Sequence, residues 1–354
     1  MNAFSEMMLA PLGAIYGAVM HVRAALYSTG AHSSYKIEAP VISVGNITTG
    51  GSGKTPLVEW IARSAAREGR HPCVLTRGYG RVDPQRRVVV SDGENILASA
   101  REGGDEPFLL AEKLLGTAAV ISDRDRVAAA RWALENLRSD LFLLDDGFQH
   151  LRIKRDIDIV TLDAMNPFGD GGDGNGKLLP RGRLREPIAA LARADCIIIT
   201  RADMIDDANA LRARVQALSG VRTILLARAQ TTAVHTLFPS EKEGAPKAND
   251  SLPQPIAAFC ALGNPQAFFA HLARSKYQLS YTRSFRDHHV YTQEDVNALV
   301  REGAQNGART LMTTAKDAVK LRALHFALPC YVIEIAVEFN DEEALLVLLR
   351  EAMR

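Results

Sequence analysis

One segment, residues 41–56, constrains the fold more than any other part of this chain. It starts as an apolar run that predicts a β-strand, breaks into glycines, and continues as an amphipathic helical pattern. In such a loop, backbone N–H groups and the positive end of the helix face an anion together. Lys54 would then reach the terminal phosphates of a nucleotide, and Thr55 would ligate Mg²⁺. The segment predicts a phosphate-binding P-loop.

The spacing departs from the strict P-loop pattern. Thr48 stands where the first glycine is expected, so Gly50 and Gly51 must supply the backbone freedom before Gly53. A simple Gly-rich β-turn is the alternative. The strand before the glycines and the helix after them favour phosphate binding.

The composition limits the other function classes. A chain of 354 residues, 47% hydrophobic and 23% charged, can form one large or two moderate globular domains. Its net charge of +1 gives no basis for nucleic-acid binding through phosphate neutralisation, so anion recognition must be local. The cysteines lie far apart in apolar runs without metal-binding spacing. We expect them to be buried thiols in a reducing cytoplasm.

Residues 7–20 are almost uniformly apolar before His21 and Arg23 interrupt them. The run is short for a bilayer span, and Glu6 stands where a signal peptide would carry basic residues. Two interpretations stay open. The segment is either a helix packed on the protein's own core or a helix lying in a membrane interface with Arg23 near the headgroups.

Apolar strands alternate with helical stretches after the P-loop. This alternation predicts βαβ units, in which helices cover both faces of a parallel sheet and ligands bind beyond the carboxyl ends of the strands. The predicted strands are 72–76, 118–122, 141–144, 157–162, 196–200 and 223–227, followed by 256–262, 278–281, 309–313 and 330–335.

The composition also predicts how the chain divides. Residues 238–254 are polar and rich in proline, which predicts a linker. We therefore expect an N-terminal helix in residues 1–35, a P-loop domain in 36–237 and a smaller α/β domain in 255–354. The last helix could pack on either domain.

Residues 141–146 form an apolar run that ends in Asp145 and Asp146. Carboxylates directly after a strand are what P-loop proteins use to orient Mg²⁺ opposite the phosphate loop. A helix cap or a turn is the alternative. The P-loop upstream favours the metal role.

Two further segments carry residues suited to proton transfer. Residues 103–107 present Asp105 and Glu106 at a helix start. Either acids are there because a helix N-terminus favours them, or a kinase uses one to position an attacking hydroxyl. His288 and His289 lack zinc spacing. One imidazole bonded to a carboxylate is the better interpretation, with solvated histidines as the alternative.

Residues 169–176 form a loop of glycine and aspartate, followed by the basic residues Lys177, Arg181, Arg183 and Arg185. The acids do not lie at EF-hand intervals, so a calcium site is not expected. The basic run suits a substrate phosphate or anionic lipid headgroups. A solvated charged loop is the alternative.

Together these segments resemble one family, tetraacyldisaccharide 4′-kinase. The resemblance covers nearly the whole chain. It implies an α/β fold in which a P-loop NTPase-type parallel sheet domain, covered by helices, is accompanied by a second, smaller α/β domain and an N-terminal apolar helix. The motifs that carry it, in family order, are 45–47 with 50–56, then 77–80, 104–107, 145–150, 178–180, 184–187 and 287–289.

The resemblance implies an activity and a location. ATP would donate its γ-phosphate to the 4′-hydroxyl of a tetraacylated glucosamine disaccharide 1-phosphate, a lipid A precursor, with Mg²⁺ required. The protein would lie peripherally on the cytoplasmic face of the inner membrane, with the N-terminal helix in contact with lipid. Neither nucleic acid nor an obligate protein partner is expected.

The resemblance also implies roles for individual residues. Catalysis falls to Asp105, paired with His288, and to Lys54. The nucleotide is assigned to Thr49, Gly50, Gly51, Ser52, Gly53, Lys54 and Thr55, the metal to Thr55, Glu106, Asp145 and Asp146, and nucleotide or substrate contacts to Tyr79, Arg126, Gln149 and Arg185.

The chain departs from the family pattern in two places. Its loop at residues 169–176 is longer than usual, and Ala315 stands where the family usually carries glutamate. Whatever that glutamate does in the family, Ala315 cannot do it here.

Rival classes share some of these motifs. A P-loop switch ATPase normally carries a lysine before its glycines, where this chain has Thr49. A GTPase reads guanine with a T-K-x-D motif, which residues 200–203 imitate with Arg201 in place of lysine. A membrane-tethered scaffold without catalysis is disfavoured by the density of phosphate and metal motifs.

Overall fold

The computed structural model describes residues 3–169, 176–238 and 252–354. The helices are α1 Ala3–Ser28, α2 Lys54–Arg67, α3 Ala100–Gly103, α4 Asp105–Lys113, α5 Arg126–Asn136, α6 Ala208–Ser219, α7 Pro265–Arg274, α8 Gln293–Gln305, α9 Ala315–Leu321 and α10 Glu342–Ala352. The strands are β1 Val41–Gly45, β2 Pro72–Thr76, β3 Val88–Ser91, β4 Ala119–Ser122, β5 Leu141–Asp145, β6 Ile157–Asp163, β7 Cys196–Thr200, β8 Thr223–Thr236, β9 Ile256–Cys260, β10 Leu279–Ser284, β11 Thr310–Thr314 and β12 Cys330–Phe339.

One twelve-stranded sheet runs through the molecule in the order β10-β9-β11-β12-β8-β7-β6-β1-β5-β2-β4-β3. Strands β1 to β7, without β3, pair in parallel and form what we call the first lobe. Strands β9 to β11, with α7 to α9, form the second lobe, and their pairings are also parallel. The predicted parallel sheet covered by helices is confirmed.

Strands β8 and β12 connect the two lobes. They pair with each other in antiparallel register from Tyr331 opposite Thr236 to Phe339 opposite Ala227. The sheet is therefore continuous, because backbone hydrogen bonds run from the first lobe to the second without a break. The domain limits 36–237 and 255–354 stay a prediction, and most of the expected linker, residues 239–251, lies outside the described residues.

The strand predicted before the glycines and the ten predicted after them are all present, although β10 and β12 continue to Ser284 and Phe339, beyond their predicted ends at 281 and 335. Two other differences are larger. Strand β8 continues nine residues beyond the predicted end at 227, because its second half pairs with β12 rather than ending in a turn. Strand β3 was not predicted. It is a short antiparallel edge strand on β4, and its run of three valines was an available signal.

The central strands are buried on both faces, as expected for a parallel sheet between helix layers. The last helix, α10, packs on the first lobe. Leu345 and Leu349 are buried in the same apolar cluster as Leu57 and Ile61 of α2. The C-terminal helix thus covers the helix that follows the P-loop.

Helix α1 lies on the surface of the first lobe, beside the loop that carries the predicted basic residues. The Tyr16 hydroxyl donates a hydrogen bond of 2.9 Å to the Arg185 carbonyl, and Arg23 Nη2 donates one of 2.9 Å to the Gln149 carbonyl. Only 6% of the apolar window in Leu9–Ser28 is buried. This leaves little support for a core-packed helix. By length and composition alone, this segment also qualifies as a candidate membrane span.

Candidate active site

A cleft of about 590 Å³ opens at the carboxyl ends of the parallel strands. It is lined from the first lobe by the glycine loop and the end of β5, and from the second lobe by the segments after β9, β10 and β11. Open α/β sheets place ligands at this edge. Of the predicted site residues, all but Asp105, Arg126 and Gln149 line this cleft.

The glycine loop connects β1 to α2. Gly53 adopts a left-handed conformation with φ of 80°, and a Cβ atom there would lie 3.3 Å from Thr200 Cγ2. A Cβ atom on Gly263 would lie 2.8 Å from Gly50 Cα. The backbones of the two lobes therefore meet at the glycines, and side chains there would separate them.

Ser52 shapes this loop through its side chain. Its hydroxyl accepts a hydrogen bond of 2.9 Å from Asn46 Nδ2 and lies 2.8 Å from Thr161 Oγ1. The Thr200 hydroxyl donates a bond of 3.0 Å to the Ser52 carbonyl. Ser52, predicted to contact nucleotide, is thus buried, with its hydroxyl oriented inward to support the loop.

The first residue of α2, Lys54, reaches across to the end of β5. Its Nζ lies 3.2 Å from Asp146 Oδ1, and Arg185 Nη1 lies 2.7 Å from the same oxygen. Burial alone would raise the pKa of Asp146, but the two cations outweigh it and hold the pKa well below its usual range. Asp146 is an ionised group that positions Lys54 at the loop.

The pKa of the neighbouring Asp145 shifts in the opposite direction. Burial, with the negative charges of Glu106 and Asp146, raises its pKa to about 7. A buried carboxylate with two acidic neighbours is a site that a cation would stabilise. Among the described residues, no group of three or more His, Cys, Asp or Glu forms a metal cage. Mg²⁺ needs only one or two carboxylates, because phosphates and water complete its coordination. Asp145, Glu106 and Thr55 therefore have oxygen ligands that are suited to Mg²⁺.

Asp105 and His288 come together from different lobes. Asp105 begins α4, and its Oδ2 lies 3.8 Å from Nδ1 of His288, which follows β10. This nitrogen is buried and has no hydrogen-bond partner among the residues that the structure describes. The Tyr79 ring packs against the imidazole with centroids 5.0 Å apart. His289 pairs instead with Asp295 at 2.9 Å.

Two lysines of α9, one helical turn apart, face the acids of α4. Lys316 Nζ lies 2.7 Å from Glu106 and 3.1 Å from Asp287, and Lys320 Nζ lies 3.9 Å from Asp105. Burial alone would lower the pKa of Lys316, but Glu106 and Asp287 raise it above its usual range. Sequence reasoning missed these lysines, although their spacing on a predicted helix was a usable signal.

Two predicted residues, Gln149 and Arg126, lie outside the cleft. Gln149 donates bonds from Nε2 to the Asn46 carbonyl at 2.9 Å and to Glu186 Oε1 at 3.0 Å. Arg126 is buried, which lowers its pKa to about 10 despite Asp146 and Asp145 nearby. Gln149 and Arg126 line a second cavity that adjoins the cleft.

The motif that imitates a guanine-reading sequence is used differently. Arg201 Nη1 lies 2.6 Å from Asp163 and donates a bond of 3.0 Å to the Gly51 carbonyl. Its guanidinium therefore supports the glycine loop. Nucleotide-dependent phosphoryl transfer is the chemistry that a lysine-bearing glycine loop, a carboxylate-ended strand and an acid beside an imidazole serve together. The fold and site thus define the chain as a P-loop kinase.

Comparison with known proteins narrows this class to one family. The chain matches the tetraacyldisaccharide-1-P 4′-kinase family over residues 5–354 and belongs to it. The tetraacyldisaccharide 4′-kinase of Desulfotalea psychrophila is 35% identical over 321 residues, 91% of this chain and 89% of the relative. That of Geobacter metallireducens is 39% identical over 327 residues, 89% of this chain and 88% of the relative.

A solved structure agrees with the family. The crystal structure of LpxK from Aquifex aeolicus in complex with ATP superposes with a TM-score of 0.76 at 29% sequence identity. The match covers 99% of each chain. The family predicted from the sequence motifs is confirmed, and the chain is a kinase.

Proposed function

We propose that this chain transfers the γ-phosphoryl group of ATP to the 4′-hydroxyl of a tetraacyldisaccharide 1-phosphate. The observation that carries the proposal is the 3.8 Å separation of Asp105 Oδ2 from Nδ1 of His288, a residue that lines the same cleft as Lys54. A carboxylate near a lysine-bearing glycine loop supports the proposal, because phosphoryl transfer to a hydroxyl uses such a group to accept the proton. The family of the chain and the ATP complex of the related kinase support the choice of acceptor and donor.

Each group has a distinct task in this reaction. The acceptor hydroxyl oxygen forms a bond to the γ-phosphorus as the bond to the ADP oxygen breaks, and Asp105 takes the hydroxyl proton. His288 orients Asp105 through the nitrogen that faces it. Lys54, held by Asp146, stabilises the negative charge on the transferring group. The products are ADP and the 4′-phosphorylated lipid.

Asp145, Glu106 and Thr55 would hold Mg²⁺ in this cleft. When bound, the ion neutralises charge on the β- and γ-phosphates. Glu106 contacts Lys316 at 2.7 Å in this structure, so Lys316 offsets its charge from the second lobe. Asp146 is already committed to Lys54 and Arg185, and we assign it to positioning rather than to direct ligation.

The proposal is tested by incubating the purified protein with labelled [γ-³²P]ATP, Mg²⁺ and tetraacyldisaccharide 1-phosphate in neutral detergent micelles. We expect label in the lipid, and none in a matched acceptor whose 4′-hydroxyl is replaced by hydrogen. Release of free phosphate without labelled lipid would refute the proposal and favour a switch ATPase. Repeating the assay with GTP tests the GTPase alternative.

We further propose that α1 attaches the protein to the cytoplasmic face of the inner membrane. Its exposed apolar side chains include Leu12, Ile15, Val19 and Val22, while Arg23 lines the second cavity, which adjoins the cleft. Exposed apolar side chains on one helix bind lipid by transferring their surface out of water. This location suits an acceptor that carries acyl chains.

Replacing Leu12, Ile15 and Val19 together by serine tests this attachment. Each side chain contributes on the order of 1 kcal/mol of transfer free energy, so we expect vesicle binding to fall at least roughly tenfold. Vesicle flotation measures the bound fraction. Activity on acceptor in detergent micelles checks that the variant is folded. Unchanged flotation would exclude α1 as the lipid contact.

A further inference from the structure

Lys320 is a buried lysine that has no task in the reaction described above. It lies on α9, one helical turn after Lys316, and only 7% of its side chain is exposed. Its Nζ atom forms no hydrogen bond with any residue that the structure describes. A buried ammonium group is stable only with negative charge around it, so the acids near Lys320 define its function.

Two carboxylates face this ammonium group. Lys320 Nζ lies 3.3 Å from Asp317 Oδ1 on its own helix and 3.9 Å from Asp105 Oδ2 of the first lobe. The ammonium group also lies over the Tyr291 ring, 5.5 Å from the ring centroid. Lys320 is therefore a cation between an acid of the second lobe and the proposed proton acceptor of the first lobe.

Asp317 holds its place without Lys320. Its side chain is fully buried, and its Oδ2 accepts hydrogen bonds from the Ala261 backbone N–H at 3.1 Å and from the Thr314 hydroxyl at 2.8 Å. What Lys320 adds is charge compensation, because a buried carboxylate without a counterion is strongly unfavourable. The ion pair in turn fixes the ammonium group beside Asp105.

One oxygen of Asp105 faces two nitrogens of the second lobe. His288 Nδ1 lies 3.8 Å from Asp105 Oδ2, and Lys320 Nζ lies 3.9 Å from the same atom. Both nitrogens are buried, and neither has a hydrogen-bond partner among the described residues. An approach of the second lobe toward α4 by roughly 1 Å would bring both close to hydrogen-bond length. Oδ2 would then be fully engaged, which leaves Oδ1 for the acceptor hydroxyl.

The first-lobe side of the cleft already concentrates negative charge. The pKa of Asp145 is raised to about 7 by burial together with the charges of Glu106 and Asp146, and Asp105 directly precedes Glu106. A bound nucleotide adds its phosphates to the same region. Lys320 is not among the described residues that line the cleft. It would offset part of this charge from behind Asp105, without contacting the nucleotide.

We propose that Lys320 is a positioning residue for the proton acceptor: with His288 it holds one oxygen of Asp105 and leaves the other to the acceptor hydroxyl. The inference rests on the proposed function, in which Asp105 takes the proton of that hydroxyl. Lys320 acts on the rate of transfer through Asp105 and makes no contribution to the binding of ATP.

The test removes the cation without leaving a buried charge. Lys320→Met alone would strand the Asp317 carboxylate, so the main variant is Lys320→Met/Asp317→Asn. With lipid acceptor saturating in detergent micelles, we expect kcat to fall roughly 10- to 100-fold, while KM for ATP changes by less than about twofold. Asp317→Asn alone keeps the cation beside Asp105 and should retain kcat within about threefold. Wild-type kcat in the main variant would overturn the proposal, because Lys320 would then serve only to neutralise Asp317.

A second comparison asks whether the loss passes through Asp105. Combining Lys320→Met/Asp317→Asn with Asp105→Asn should lower kcat by less than about threefold relative to Asp105→Asn alone, because the group to be positioned is already absent. A further loss as large as that in the wild-type background would show that Lys320 acts independently of Asp105 and would overturn the proposal.

Controls separate this role from folding and from the proposed function. Lys276→Met removes an exposed charge between α7 and β10 and should leave kcat unchanged, and thermal unfolding above the assay temperature shows that each variant is folded. Lipid phosphorylation by the wild type with no loss in the main variant would overturn this inference and leave the kinase function intact. No phosphorylation by the wild type would refute the proposed function, and this inference would fail with it.

Discussion

Replacing Lys54 by methionine should lower kcat/KM for phosphoryl transfer by about 10²- to 10³-fold or more. The ammonium group lies 3.2 Å from Asp146 and begins the helix that follows the glycine loop. In the proposed reaction this charge stabilises the transferring group. Methionine keeps an unbranched side chain of similar length and removes the charge with its N–H donors, so the loss reports the electrostatic and hydrogen-bonding contribution of the ammonium group.

A matched variant isolates that effect. Lys154→Met removes a charge from an exposed lysine outside the cleft and should retain near wild-type turnover. Thermal unfolding should be similar for the two variants, because Arg185 still contacts Asp146 at 2.7 Å when Lys54 is replaced. Single-turnover assays with saturating ATP make the comparison. Near wild-type transfer by the Lys54 variant would show that the loop does not bind the transferring phosphate.

The second large effect is expected for Asp105→Asn. The substitution preserves shape at the start of α4 but removes the proton acceptor, so kcat should fall by about 10²- to 10⁴-fold with little change in KM for ATP. Glu112→Gln on the same helix is the matched control. Glu112 pairs with Arg322 at the surface, and its loss should have little effect on kcat.

A double variant tests whether His288 acts through Asp105. If His288 acts by orienting Asp105, then adding His288→Asn to the Asp105 variant should cost far less than it does in the wild type. Rates for the four proteins give the coupling directly. Additive losses would show that the two groups act independently and would contradict the proposed pair.

The local sequence pattern was sufficient to predict much of the first lobe. A glycine loop between a strand and a helix, and an acidic pair after a strand, must converge because parallel strands end at one edge of the sheet. Pattern alone left Asp105 open between a helix N-terminus and a functional group. Its pairing with His288 was implied only by family resemblance, because no local rule relates residues from separate lobes.

The features that were missed are tertiary in origin. Lys316 and Lys320 contact Glu106 and Asp105 only because α9 packs against α4 in the folded chain, and the sequence does not show this packing. Arg201 likewise looked like part of a base-reading motif until the fold brought it to Asp163. The second cavity that adjoins the cleft takes its arginines from five separate segments of chain, so composition could not reveal that they lie together.

The antiparallel pair β8 and β12 has a mechanical consequence. The chain leaves the first lobe through one of these strands and returns through the other, side by side. Sliding one strand along the other would break the hydrogen bonds of the pair, whereas bending both together keeps them, so we expect any displacement of the second lobe to be a hinge rotation about this pair. Such a rotation would change the separation of Asp105 and His288, because the two residues lie on different lobes.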